Sequence, residues 1–259
     1  MGRGLLSIWR ERPRVAESVE SVGVARAGSH WISVAFDAEG FAEARVAAEI
    51  GSLWGLYGET ADPIVVGVPI GLVEEGDPER ECDRLAREHL GERADAIVTP
   101  PSREATRRRR YPAARRVHER TTGGDLSEAA FELAPAIAAV DELLQEVPES
   151  RHVLRGSHPE LAFRALADEP LEHDRDTAGG YAERMRVLAD HDRDAPPTVQ
   201  SAAEAVAGAH VPIHAVLDAL ALAYTARPEG GDLRSLPADP PTDATGLPME
   251  LTYRAEDQL

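Results

Sequence analysis

The sequence predicts an α/β fold in which three antiparallel strands and two parallel strands build one mixed sheet flanked by helices, with a large helical insertion. Three observations predict it. Three short strand-like runs follow one another across tight turn signals, as in an antiparallel meander. A helix then separates them from a strand, Ile64 to Val68, that is apolar on both faces, as a strand buried inside a parallel pair must be. From Asp77 to Gln145 the apolar residues recur at helical spacing, and only after that does strand-like sequence return.

The meander strands are Val22–Arg26, Trp31–Phe36 and Ala42–Ala47, with turns at Ala27-Gly28-Ser29 and Asp37-Ala38-Glu39-Gly40. A helix over about 46–57 leads through Gly58 and Asp62-Pro63 into Ile64–Val68, which ends in Pro69-Ile70-Gly71. Asp77-Pro78-Glu79-Arg80 has the makings of a helix start, a capping acid followed by Pro in the first turn, and Gly91 ends that helix. Ser102 is expected to open one Arg-rich helix to about Arg120, and Ser127 another that Pro135 kinks or splits. Val153-Leu154 is a short strand, followed by a helix capped by Ser157 or His158 with Pro159 in its first turn. Further helices fill 177–226, the last an Ala/Leu segment around Asp218; Met249–Tyr253 is expected to return as an edge strand after a Pro/Gly/Asp-rich stretch. In domain terms this gives an arm over 1–20, a domain over 21–226 with an insertion at about 77–145, and a C-terminal loop and edge segment over 227–259. In the arm, Leu5, Leu6, Ile8 and Trp9 cluster before Pro13, as in a docking helix or a frayed end.

The chain carries 46 acidic against 28 basic residues, a net charge of −18, with no Lys and no Asn. A salt-adapted proteome or a GC-rich genome gives this composition, and it speaks to solubility rather than fold. Cys82 is the only cysteine, which excludes an intramolecular disulfide and a Cys-based zinc site. No apolar run approaches the roughly 20 residues of a membrane-spanning helix, so no membrane partner is expected. The N-terminus lacks a signal-peptide pattern, and a cytoplasmic location is the expectation. No phosphate-binding glycine loop, nucleophile elbow or HExxH motif occurs.

Three antiparallel strands, a helix, a parallel strand, a helical insertion, a further strand and closing helices is the order of a ribonuclease H-like core. Eight short motifs then occur in sequence: VPIGL, RECDRLAREHLG (Arg80–Gly91), TPPSR (Thr99–Arg103), TGGDLS (Thr122–Ser127), AVD (Ala139–Asp141), SHPELAF (Ser157–Phe163), LDALALA (Leu217–Ala223) and TGLPME (Thr245–Glu250). Together, over about residues 22–254, they resemble a family of predicted ribonuclease H-like nucleases catalogued as a domain of unknown function (429). The resemblance implies two-metal hydrolysis, in which carboxylates at adjacent strand ends hold two Mg²⁺ about 3.5–4 Å apart. It also implies an Asp on the first strand, an Asp before Pro-Ile-Gly-Leu, an acid before His-Pro-Glu and an Asp-Asp pair in the last helix. Here those places read Ala25, Gly67, Gly156 and His214-Ala215, and neutral side chains bind such hard cations poorly.

Three functional expectations follow. The first is a degenerate member that lacks most metal-binding carboxylates and keeps a ligand or nucleic-acid surface. Arg87, Arg103, Arg107, Arg108 and Arg184 are the phosphate-contacting candidates, and Tyr111 is available to stack on a base. The second is an active nuclease or hydrolase with a rearranged site: His158, Glu160 and Asp218 as catalytic candidates, Glu160, His214 and Asp218 as metal candidates, and Mg or Mn as the ion. The third is a structural partner, as a homo-oligomer or with an intact paralogue, through the Arg-rich helix. Each candidate has a plainer reading: helix capping for His158 and Glu160, a paired buried acid for Asp218, and ordinary surface or core roles for His210 and His214. The eight Arg and two Glu of 103–120 have one too, a charged face paired with the chain's own carboxylates.

Overall fold

The computed structural model describes residues 19–167 and 169–259; the expected arm lies outside the described residues as far as position 18. Strands β1 (Ser21–Ala27), β2 (His30–Asp37) and β3 (Gly40–Ala47) form the antiparallel meander. At its second turn Asp37 Oδ1 accepts the N–H groups of Glu39 and Gly40 at 2.8 and 3.1 Å, the local bonding that favours Asp in turns. After α1 (Ile50–Tyr57), β4 (Ile64–Val66) pairs in parallel with β1, placing Val24 beside Val66. β5 (Leu154–Gly156) pairs in parallel with β4. The sheet order is β3-β2-β1-β4-β5, the ribonuclease H-like order that the sequence predicts.

Between β4 and β5 run α2 (Glu81–Leu90), a 3₁₀ turn (Gly91–Ala96), α3 (Arg103–Thr106), α4 (Tyr111–Thr122), α5 (Glu128–Glu146) and α6 (Ser150–Val153). After β5 come α7 (Pro159–Ala167), α8 (Ala178–His191), α9 (Ala195–Ala205) and α10 (Ile213–Ala226), then β6 (Asp232–Leu236) and β7 (Leu251–Ala255). Side chains alternate across the sheet. Val22, Val24, Ile64 and Val66 pack toward α1 and α5, whereas Ala25, Ala27 and Val65 pack toward α7–α10. α10 is buried from Ala215 to Ala226, as befits a helix apolar on all sides. Gly23 is why it can lie so close: a Cβ there would collide with the α10 backbone at Ala219 and Ala223 and come within 2.6 Å of the Leu222 carbonyl carbon.

Three elements differ from the sequence expectation, and at a fourth, α5, one of two expected alternatives is excluded. Helix α2 begins at Glu81 rather than at Asp77-Pro78, because Arg80 is drawn into the interior. Its Nη1 donates to the carbonyls of Ile70 and Gly71 at 2.8 and 3.0 Å, and the rest of its guanidinium binds Asp83. That fully buried Arg80 pins the turn after β4. The expected Arg-rich helix is two, broken at Arg107–Arg110, where four cations in a row precede the Tyr111-Pro112 restart; Pro near a helix start is tolerated where its missing N–H is not needed. Pro135 does not split α5, which is a single 19-residue helix with the proline inside it. The Met249–Tyr253 segment does not add to the main sheet: β7 pairs with β6, an unforeseen strand, in a separate two-stranded sheet.

Candidate functional site

In the ribonuclease H-like order, β1, β4 and β5 point their carboxyl ends to one edge, the place where open α/β sheets hold ligands. A cavity of about 430 Å³ opens there. Ala25 and Gly67 lie side by side on its strand wall, joined by the Gly67 N–H bond to Val24 O at 2.8 Å. Gly156 is not part of it. Paired with Val66, it faces the other side of the sheet, and a Cβ there would meet Ile70 at 3.2 Å. Ser157 is the residue beside Gly67, and its hydroxyl donates to Thr252 O at 2.6 Å. Of the three strand-end positions that the resemblance leaves without a carboxylate, two therefore border the cavity.

The start of α7 contributes His158 and Glu160. His158 Nδ1 accepts the Glu160 N–H at 3.2 Å, capping the helix. Burial, with a smaller contribution from the cation Arg175, pushes the imidazole down to about 4. His158 is thus neutral at physiological pH, with Nδ1 as acceptor and Nε2 carrying the proton. Glu160 is buried against Arg184, itself fully buried, and Arg93 stands 3.5 Å away. Arg184 also donates to His173 O and Gly180 O at 3.1 and 3.3 Å.

From the opposite wall α10 presents Asp218, 3% exposed. Burial pushes its carboxyl up to about 7; Arg175, whose Nη1 lies 3.2 Å from Oδ2, opposes that rise, and Glu160 adds to it. His214, one turn earlier, lies outside the cavity, with Nδ1 2.8 Å from Asp176. His158, Glu160 and Asp218 are therefore brought together and His214 is not.

Arg175, Arg93 and Arg26 also line the cavity, and the sequence reading did not single them out. Arg175 sits in the His173-Asp174-Arg175-Asp176 loop before α8, and Arg93 in the 3₁₀ turn; neither spacing carries a motif. Burial lowers the basicity of Arg26, Glu132 partly restores it, and Arg175 lowers it further.

The divalent cations that the resemblance implies do not fit these residues. Ala25 and Gly67 offer no side-chain oxygen, Glu160 is held by Arg184, and Asp218 already faces a guanidinium. Among the described residues no group of three His, Cys, Asp or Glu side chains is arranged to hold a metal.

The arginines read as phosphate contacts are spread elsewhere. Arg87 binds Ile97 O, Thr99 Oγ1 and Glu79 at 2.9, 2.8 and 2.6 Å. Arg103, 5% exposed, is ringed by Asp141, Glu74 and Asp243. Arg107 and Arg108 are exposed, the latter paired with Glu104. The Tyr111 hydroxyl donates to Leu126 O at 2.7 Å, and its ring packs against Phe131. Arg87 and Arg103 thus spend their donors inside the chain, as does Arg184 with both terminal nitrogens, while its buried Nε has no partner among the described residues.

No curated protein matches the chain, and no solved structure does. A family model described as a protein of unknown function (DUF429) matches residues 23–242, a span holding β2 to β5, β1 from Gly23 onward and most of the cavity wall. The chain belongs to that DUF429 family.

Proposed function

We propose that this chain is a non-hydrolytic member of its family whose carboxyl-edge cavity binds a phosphate-bearing ligand directly through guanidinium groups. The observation that carries the reading is the Arg175–Asp218 pair beside Ala25 and Gly67: the chain supplies its own cation where strand carboxylates would otherwise gather metal. Arginine forks match phosphate oxygens two at a time. Arg175 has only one hydrogen bond among the described residues, and it is 44% exposed. Arg93 is held by partners no closer than 3.5 Å, and the protonated Nε2 of His158 adds a neutral donor. A phosphate between Arg26 and Arg175 would relieve the repulsion between them.

An active hydrolase built from His158, Glu160, His214 and Asp218 draws its support from Asp218, an acid pushed toward neutrality by burial. Calorimetry separates the two. Titration with Mg²⁺ or Mn²⁺ is expected to show no saturable binding. Inorganic phosphate, a mononucleotide and a short oligonucleotide are expected to bind, with affinity falling roughly ten-fold or more in Arg175→Ala, the loss of one charge-assisted contact. Saturable metal binding with nucleic-acid turnover abolished by Asp218→Ala overturns the proposal.

A further inference from the structure

A second cavity, about 810 Å³, lies on the α1/α5 face of the sheet. Its floor is Trp31, Ile50, Pro135, Ala136, Ala139 and Leu143, and the α5 members follow the three- and four-residue steps of one helix face. A Cβ at Gly51 would meet nothing within 4 Å, so the groove is open there. Its rim carries Glu49, Glu132, Glu142 and Glu146, all exposed, against one arginine, Arg26, and His30. An apolar floor with an acidic rim suits a segment whose apolar side chains are flanked by arginines.

We propose that residues 1–18 of this same chain dock in the groove, Leu5, Leu6, Ile8 and Trp9 on its floor and Arg3, Arg10, Arg12 and Arg14 toward its glutamates. Those eighteen residues hold four Arg against Glu11 and Glu17, the complement of the rim. Val19, 1% exposed, packs in the core layer that contains Trp31, Ile50 and Leu143, the same face of the sheet as the groove. The reach suffices. Seven residues of β1 cover roughly 23 Å, and the ten residue steps from Trp9 to Val19 span up to about 33–36 Å when extended. Arg26 and Glu132 belong to both cavities, so the docked segment would border the ligand site.

Disulfide trapping in the full chain tests this, because the native Cys82 is buried. Leu6→Cys combined with Ala139→Cys is expected to form an intramolecular disulfide at least roughly ten-fold faster than Leu6→Cys with Ala207→Cys, whose second site lies on the opposite face; docking raises the effective concentration of the two thiols. Glu142→Arg with Glu146→Arg is expected to slow the trapping, and adding Arg10→Glu with Arg12→Glu to restore it. Equal rates at the two sites overturn the proposal. So does a disulfide found only between molecules, which would give the groove to a second copy.

Discussion

Asp218 and His158 face one cavity and carry opposite pH signatures. Asp218 moves from an ordinary 3.8 to about 7 on folding. Between those values the folded state holds a proton that the unfolded chain has lost, so this group's effect on stability worsens as pH rises through the window. His158 moves from 6.5 to about 4. Over that range the unfolded chain holds the extra proton, so stability is lost as pH falls. The two slopes oppose each other from about pH 4 to 6.5. In Asp218→Asn the Asp218 slope disappears: urea denaturation should show the variant gaining on the parent chain by a few kcal/mol at pH 8 relative to pH 4. An unchanged pH profile would show that Asp218 titrates normally.

At the scale of elements, one glycine sets the distance between the central strand and the central helix. Gly23 leaves no room for a methyl group under the α10 backbone, and backbone cannot rotate aside as a side chain can. Gly23→Ala should therefore cost at least the ~1–3 kcal/mol of ordinary overpacking, read as a lower urea midpoint. It should also disturb Asp218, which rides on α10. Gly67 makes a milder demand. A Cβ there meets the Leu222 Cδ1 methyl at 3.0 Å, the movable end of a side chain. Ala25→Asp with Gly67→Asp and Arg175→Ala is accordingly expected to create saturable Mg²⁺ binding by calorimetry. A folded triple variant that binds none would show that the strand ends are wrongly placed for a metal.

Across the whole molecule, buried ion pairs tie the insertion to the sheet edge and to the C-terminal segment. Arg103 from the insertion binds Asp141 of α5 and Asp243 of the loop between β6 and β7, while Asp243 also accepts the Leu72 N–H at 3.0 Å just past the β4 turn. Removing one partner of such a pair strands the other charge. Arg103→Leu should lose about 3–5 kcal/mol in chemical denaturation, and adding Asp141→Asn with Asp243→Asn should recover part of it. No recovery would assign the loss to packing. Among the described residues no helix is long and apolar enough to cross a membrane.

The five strands of the sheet and their order were legible in the sequence because each is written in local pattern: alternation with turn residues in the meander, an unbroken apolar run for β4, Pro-flanked starts for the helices. That Ala25 and Gly67 are neighbours was legible too, since strand order brings them together. What pattern cannot carry is pairing across distance. Whether Arg103 and Arg184 meet phosphate or a carboxylate of their own chain depends on Asp243 and Glu160, 140 and 24 residues away. Gly156 turned from the cavity because one residue of register reverses the face of a strand. By itself the sequence determined the sheet, its order and the small uncharged residues, Ala25 and Gly67, at two of its strand ends. Only the tertiary structure decided which cation stands near them, because the Arg175–Asp218 contact joins a loop to a helix 43 residues on, and no period or propensity records such a meeting.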